Sequence, residues 1–403
     1  MLKTLKIPKK TSFKLRSMEV FPNTILSPMD GVTDAPFRRL CRVLSGDRMG
    51  LLVSEFVPTD GDAVFNLDGH KQLKFFPEER PFGVQIFGRF PDRMAAAARK
   101  IAESLHPDYI EVNAGCPAPK VAGKGSGSGL LRDLPRLREI LHDVRTALDE
   151  SGTDLPLTLK CRIGWDSESI NIMETLAIAE GEGVEMLTVH GRTRLQGYNG
   201  LADWDWIGKA AAAAKIPVIG NGDVNSVARA FDCIENYGVA GVAIGRGAMH
   251  NPWIFGQIAD AWEGKPARVI TAAEALEIFK LYYGFKIEDG STEMGALGRL
   301  KQLGARLCKG FCIDEQGPRA GALSLSKCCR GAGADGAGDE SQDVAMHIRQ
   351  TLLTAQNADE FFGRLEDLRN GFAKDLRYDP SRLVNLNGAK ETELKFGDQF
   401  KGR

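Results

Sequence analysis

The chain has 403 residues, 43% of them hydrophobic and 26% charged, with a formal net charge of -1. This composition excludes a collagen-like chain, a wholly disordered chain and a disulfide-stapled miniprotein, and no apolar run approaches the roughly 20 residues that span a bilayer. The near-zero charge argues against a globally basic nucleic-acid binder, although local patches escape such a sum.

Residues 1–20 read as a basic arm. The first seventeen residues hold Lys3, Lys6, Lys9, Lys10, Lys14 and Arg16 and no acid, the pattern of a solvated, flexible tail or of a segment that touches a polyanion. From residue 21 short β-rich apolar runs alternate with stretches of helical period. The predicted strands are 24–29, 51–56, 82–88, 109–115, 157–164, 186–192, 217–223 and 241–247. The predicted helices are 35–45, 91–105, 133–150, 170–183, 203–214, 224–237 and 249–262, with no clear helix after the second strand. Eight strands, each followed by a crossover, give an α/β chain whose residues 21–262 form a (β/α)8 TIM barrel. An open doubly wound sheet would carry G-x-G-x-x-G after its first strand, where this chain has Pro28-Met29-Asp30-Gly31.

The Gly- and Pro-containing segment 263–267 reads as a linker. Beyond it, helical periodicity over 272–286, 293–311, 344–356 and 358–374 predicts a C-terminal all-helical domain spanning 263–380. Inside that domain, 315–341 is rich in Gly, Ala and Ser and reads as a mobile loop, and 381–403 reads as a polar tail. The cysteines at 41, 116, 161, 233, 308, 312, 328 and 329 have no recurrent spacing, and no apolar signal core follows the basic start. The thiols are therefore read as reduced and the protein as cytoplasmic. Cys308-x-x-x-Cys312 and Cys328-Cys329 lack an accompanying His pair, so no metal site is assigned.

In a (β/α)8 barrel the active site lies at the carboxyl ends of the strands. Polar residue types recur there in nearly every predicted strand: Pro28, Met29 and Asp30 after the first, Gln85 in the third, Asn113 and Cys116 at the fourth. Lys160 and Arg162 follow in the fifth, His190 and Arg192 in the sixth, Asn221, Gly222 and Asp223 in the seventh, and Gly245 and Arg246 in the eighth. Polar groups inside a barrel must face something polar, and a bound polar cofactor accounts for them economically. Glycine turns after strands seven and eight suit a phosphate, with Arg246 adding a charge-assisted bond. Lys160 suits an electron-rich ring, and Gln85 and His190 can bond its polar edge. Together these groups fit flavin mononucleotide (FMN) better than a sugar phosphate. A thiol at Cys116, with an ordinary pKa of ~8.5, stays protonated at neutral pH and can donate a proton; the alternative is an inert buried thiol.

Seven ordered motifs carry a family resemblance: Ser27-Pro28-Met29-Asp30-Gly31-Val32-Thr33-Asp34, Phe82-Gly83-Val84-Gln85-Ile86-Phe87-Gly88, Asn113-Ala114-Gly115-Cys116-Pro117, Lys160-Cys161-Arg162-Ile163-Gly164-Trp165, His190-Gly191-Arg192-Thr193, Asn221-Gly222-Asp223-Val224 and Ile244-Gly245-Arg246-Gly247. The chain resembles the tRNA-dihydrouridine synthases over residues 24–262, and more weakly, through 299–307, their helical tRNA-binding domain. The resemblance implies reduction of the carbon 5–6 double bond of particular uridines in tRNA, with FMN reduced by NADPH. It places Cys116 as proton donor, and Pro28, Met29, Asp30, Gln85, Lys160, His190, Asn221, Gly222, Asp223, Gly245 and Arg246 around FMN. It sets Asn113 and Arg162 at the uracil, and Arg192 and Tyr198 at the RNA. The expected partner is tRNA, with no membrane and no protein partner, and the chain is expected to act as a monomer. Two rival classes stay open, an FMN barrel acting on a free pyrimidine such as dihydroorotate and a non-catalytic tRNA-binding homologue.

Overall fold

The computed structural model describes residues 11–60, 70–266, 268–313, 340–371 and 376–378. Two short strands, β1 (Phe13–Leu15) and β2 (Met18–Val20), pair as an antiparallel hairpin. The barrel follows: β3 (Thr24–Leu26), β4 (Leu52–Val53), β5 (Val57–Pro58), β6 (Phe82–Phe87), β7 (Tyr109–Ala114), β8 (Leu157–Arg162), β9 (Met186–His190), β10 (Val218–Asn221) and β11 (Gly241–Ile244). These strands run parallel in the order β3-β11-β10-β9-β8-β7-β6-β4. β4 and β5 pair with successive parts of β6 and act as one interrupted stave. A parallel bridge between Ile25 and Leu51 closes the ring of eight staves.

The strand period of two sorts the side chains into two environments. Val84, Ile86, Ile110, Val112, Leu159, Leu187, Val189, Val242 and Ile244 point outward into the core shared with the helices. The alternate residues point into the barrel. Near its N-terminal end these are apolar: Ile25, Leu51, Val53, Tyr109, Met186, Ile219 and Ala243 form a second, separate cluster. Toward the C-terminal end they become Gln85, Glu111, Asn113, Lys160, Arg162, His190 and Asn221, so polarity rises along the axis.

The hairpin corrects the expectation of a flexible arm over 1–20. Residues 1–10 lie outside the described residues, but Phe13, Leu15 and Val20 are buried and complete the apolar cluster at the barrel's N-terminal end. The basic residues that suggest a tail, Lys14 and Arg16, alternate with these apolar residues, and alternation is what a strand with one buried face requires.

Outside the ring lie helices Ala35–Ser45, Pro91–Leu105, Leu134–Glu150, Ile172–Gly181, Trp204–Ala213 and Val227–Tyr237. Asp34, Asp133 and Ser226 cap their helices through side-chain bonds to backbone N–H groups. After β5 the described residues contain only two 3-10 turns, Lys71–Leu73 and Pro77–Glu79, in place of a helix. The expected helix 249–262 is two helices, Arg246–His250 and Ile254–Trp262, because Pro252 brings no N–H to the junction.

The C-terminal unit is built from helices Ala272–Glu288, Glu293–Leu307, Glu340–Leu353 and Ala358–Gly371. It is not all-helical. β12 (Ile270–Thr271), β13 (Phe311–Ile313) and β14 (Leu376–Tyr378) form an antiparallel sheet with β14 in the middle. The helix expected over 293–311 ends at Leu307 and passes through a 3-10 turn into β13. Gly310 permits that passage, since a Cβ there would lie 2.5 Å from the Tyr378 ring. Most of the Gly/Ala-rich stretch 315–341, both Cys328 and Cys329, and the tail 381–403 lie outside the described residues. The unit docks on the barrel through Lys286 to Asp34 (3.0 Å), Lys74 to Asp289 (2.8 Å) and a bond donated by Arg299 to the Gly31 carbonyl.

Candidate active site

Every residue singled out from the sequence lines one cavity at the C-terminal mouth of the barrel. Pro28, Met29, Asp30, Gln85, Asn113, Cys116, Lys160, Arg162, His190, Arg192, Tyr198, Asn221, Gly222, Asp223, Gly245 and Arg246 all border it. Phe56, Asn225 and His250 border it too, and the sequence reading does not single them out.

On one wall, Lys160 reaches across from β8 to β10, where its Nζ donates to Asn221 Oδ1 at 3.2 Å. Asn221 in turn donates to the Ala243 carbonyl at 2.7 Å. Burial lowers the Lys160 pKa to about 8, opposed by the charge of Glu111. Glu111 is a buried acid on β7, raised to about 7 by burial and held down in part by Lys160. Sequence reasoning passes over it, although an acid between Ile110 and Val112 is the same signal that marks Lys160.

Glu111 begins a chain of amides. Gln85 donates Nε2 to Glu111 Oε1 at 2.6 Å, and Asn113 donates Nδ2 to Gln85 Oε1 at 2.8 Å. Asn113 Oδ1 accepts the backbone N–H groups of Gly115 and Cys116, each at 2.9 Å. Ser128 adds a hydroxyl bond to the Cys116 carbonyl at 2.7 Å. The cysteine loop is thus held from the barrel side and from the segment that follows it. Burial raises the Cys116 pKa, with the nearby Asp30 adding to it while an Ala118 backbone bond, Arg162 and Lys160 oppose, so the thiol is protonated at neutral pH.

Arg162 is 1% exposed. Its Nε donates to the Gly115 carbonyl at 2.8 Å, and its Nη1 donates to the carbonyls of Thr193 and Gly197 at 2.8 and 2.9 Å. Among the described residues its Nη2 has no acceptor, which leaves that group for a ligand. Arg192 is placed differently from a surface RNA contact. At 2% exposure it donates to both oxygens of Asp223 and to the Gly200 carbonyl. It acts as a tie between loops, because its charge and donors are taken up by protein acceptors. Tyr198, in contrast, is 58% exposed on the rim, with the Arg246 guanidinium 4.9 Å from its ring centre.

His190 is pushed well below its usual pKa by burial and then by Arg162, Lys160, Arg192 and Arg246. It is therefore neutral. Arg192 Nη1 lies 3.4 Å from His190 Nε2, and a guanidinium only donates, so this contact favours the proton on Nδ1. The Asn221-Gly222-Asp223 turn is left-handed at both its later residues (φ 123° and 54°). A Cβ on Gly222 would lie 2.6 Å from Ala202, so the turn can carry only glycine there. On the opposite wall, burial raises the carboxyl of Asp30, opposed by Arg299.

This donor set suits a ligand with a polar ring at one end and an anion at the other. Lys160, Gln85 and neutral His190 are the groups that could hold the first, and Gly245, Arg246 and the Gly222 turn those that could hold the second. Among the described residues no group of three or more His, Cys, Asp or Glu could hold a metal ion, and no helix is long and apolar enough to cross a membrane.

The family model described as dihydrouridine synthase matches residues 25–313. A probable tRNA-dihydrouridine synthase 1 from Synechocystis is 39% identical over 265 residues, covering 65% of this chain and 72% of that protein. A probable tRNA-dihydrouridine synthase from Rickettsia conorii is 38% identical, covering 67% and 80%. The tRNA-dihydrouridine synthase B of Pseudomonas putida is 43% identical, covering 59% and 67%.

Proposed function

Because the chain belongs to the dihydrouridine synthase family, we propose that it reduces the 5,6 double bond of specific uridines in tRNA to 5,6-dihydrouridine, with FMN held in the barrel mouth and NADPH as reductant. When bound, FMN supplies a hydride to one carbon of the double bond. Cys116 supplies the proton to the other. The observation that carries this reading is the position and state of that thiol: it borders the cavity, its loop is anchored by Asn113, and burial keeps it protonated. A protonated thiol beside Arg162 and Lys160 is a general acid whose conjugate base those cations stabilise.

The remaining groups bind and orient. Lys160 and Gln85 face the polar edge of the flavin ring, and His190, neutral, adds a hydrogen bond without adding charge. Gly245, Arg246 and the Gly222 turn receive its phosphate. The free Nη2 of Arg162 is available to the uracil, while the amide oxygen of Asn113 serves the cysteine loop. A uracil stacked in folded tRNA must be drawn out to reach this cavity, and Tyr198 stands at the rim where an extruded base would pass. In the loop that carries Tyr198, Arg194 lies 4.7 Å from the ring centre of Trp165, Arg132 lies 4.8 Å from the same ring, and the two offer positive charge to the RNA backbone.

The test is direct. Purified protein should show a flavin absorbance spectrum, and with NADPH it should form dihydrouridine in unmodified tRNA, detected by mass spectrometry. A colourless protein that cannot be reconstituted with FMN would refute the cofactor, and a flavoprotein inactive on tRNA but active on a free pyrimidine would refute the substrate.

A further inference from the structure

We propose that Glu111 is a positioning residue that sets the hydrogen-bond polarity of the Gln85–Asn113 relay and thereby holds the Cys116 loop. The relay can be read from either end with the same result. Asn113 Oδ1 faces two backbone N–H donors, so its Nδ2 must point to Gln85. Gln85 must then answer with Oε1 and turn Nε2 the other way. Only an acceptor can meet that N–H, and a carboxylate has nothing but acceptors when ionised. Gln85 is fully buried, and Glu111 and Asn113 are 3% and 6% exposed, so bulk water is in no position to substitute for a misdirected partner. The carboxylate end is separated from the cysteine by two amide side chains, and the one relay polarity it accepts is the polarity in which Asn113 Oδ1 faces the loop.

This polarity can be inverted on purpose. In Asn113→Asp the second carboxylate oxygen meets Gln85 Oε1, acceptor against acceptor. If Gln85 turns over to relieve that, its Oε1 faces the carboxylate of Glu111 instead. Replacing Glu111 by Gln supplies a donor at the far end. The double variant then satisfies the relay in reverse. The amide introduced at position 111 donates to Gln85, and Gln85 donates to the carboxylate introduced at position 113. That carboxylate still accepts both loop N–H groups.

The functional importance of this relay rests on the proposed role of Cys116, but its test does not need tRNA. The readout is the rate at which iodoacetamide alkylates Cys116 in the full-length protein at pH 8.5, followed on the Cys116 peptide by mass spectrometry, together with the thermal midpoint. Cys41, Cys161, Cys233 and Cys308 are buried, and following the Cys116 peptide keeps its signal apart from that of every other thiol. Asn113→Asp should raise the rate about fivefold or more, whereas Glu111→Gln alone, whose amide oxygen can still face Gln85, should change it little. Adding Glu111→Gln to Asn113→Asp should bring the rate back to within about twofold of the parent. Equal effects of Asn113→Asp in both backgrounds would overturn the proposal. If Asn113→Asp does not fold alone, a folded double variant supports it and an unfolded one overturns it. Dihydrouridine formation measured in parallel separates the two ideas: a relay that behaves as stated in a protein inactive on tRNA refutes the proposed function and leaves the relay standing.

Discussion

Arg192 holds Asp223 through both carboxylate oxygens, at 2.8 and 2.9 Å, across the loops that leave β9 and β10. The same carboxylate accepts the Ala202 N–H at 2.8 Å, and Arg192 also donates to the Gly200 carbonyl at 2.6 Å. One ion pair therefore closes the loop carrying Tyr198 onto the turn carrying Gly222. Both side chains are at most one-tenth exposed, and without Arg192 the carboxylate of Asp223 keeps only Arg246, at 3.6 Å, and the Ala202 N–H. Arg192→Ala should cost about 1–3 kcal/mol in urea unfolding, with weakened FMN retention. Unchanged stability would show that the pair is dispensable.

Cys116→Ala removes a proton donor and leaves its loop bonds, which are made by backbone groups. We expect dihydrouridine formation to fall by about 10²–10⁴-fold with tRNA affinity unchanged. Mass-spectrometric quantification of dihydrouridine and filter binding of tRNA check the two halves separately.

Lys160 loses its charge at lower pH than an exposed lysine, because burial brings its pKa to about 8. The affinity of the flavin-free protein for FMN should therefore fall as pH rises through about 8. Lys160→Arg keeps its charge throughout, so its affinity, though lower, should be flat over that range. Fluorescence titration with FMN from pH 6.5 to 9.5, values chosen to span roughly both forms, decides this.

Glu55 lies behind the Pro28–Gly31 turn and accepts the Gly31 N–H. Its carboxyl is raised from 4.5 to about 7, first by burial and then by Asp34. The folded state thus keeps a proton between pH 4.5 and about 7 that the unfolded chain has released, so its contribution to stability declines as pH rises across that window. Glu55→Gln should remove up to about 1.4 kcal/mol per pH unit of that slope. Urea unfolding of both proteins at pH 5, 6 and 7 would show it, and parallel curves would contradict it.

Leu15 is 1% exposed beneath the barrel. Leu15→Ala should lower stability by about 2–5 kcal/mol, as a core position does and a tail position does not. Chemical denaturation distinguishes the two.

The barrel and its mouth are legible in the sequence because one signal recurs: an apolar run that ends in a polar residue. Lys160, His190 and Asn221 carry it, Gln85 interrupts its run instead, and the period of two sends all four inward together. Glu111 is the register partner of Gln85 and likewise interrupts a strand, but the attention falls on Asn113 and Cys116 at the end of that run. The hairpin is hidden because Lys14 and Arg16 dominate a segment whose buried residues, Phe13 and Leu15, are separated by single positions. The sheet of β12, β13 and β14 is hidden for a different reason. Its strands are two or three residues long and pair across large separations, as in Ile270 with Tyr378, so no local window contains the pattern. The role of Arg192 escapes the sequence because the sequence shows a charge beside a glycine but not the acid that meets it.

The plug formed by Phe13, Leu15 and Val20 also bears on traffic. With the N-terminal end of the barrel stopped by side chains, the mouth is the one doorway to its floor among the described residues. On the proposed reading, the nicotinamide and the tRNA must use that doorway in turn, each leaving before the other enters. Initial-rate plots at several fixed tRNA concentrations should then give parallel double-reciprocal lines, the mark of two half-reactions that share an entrance.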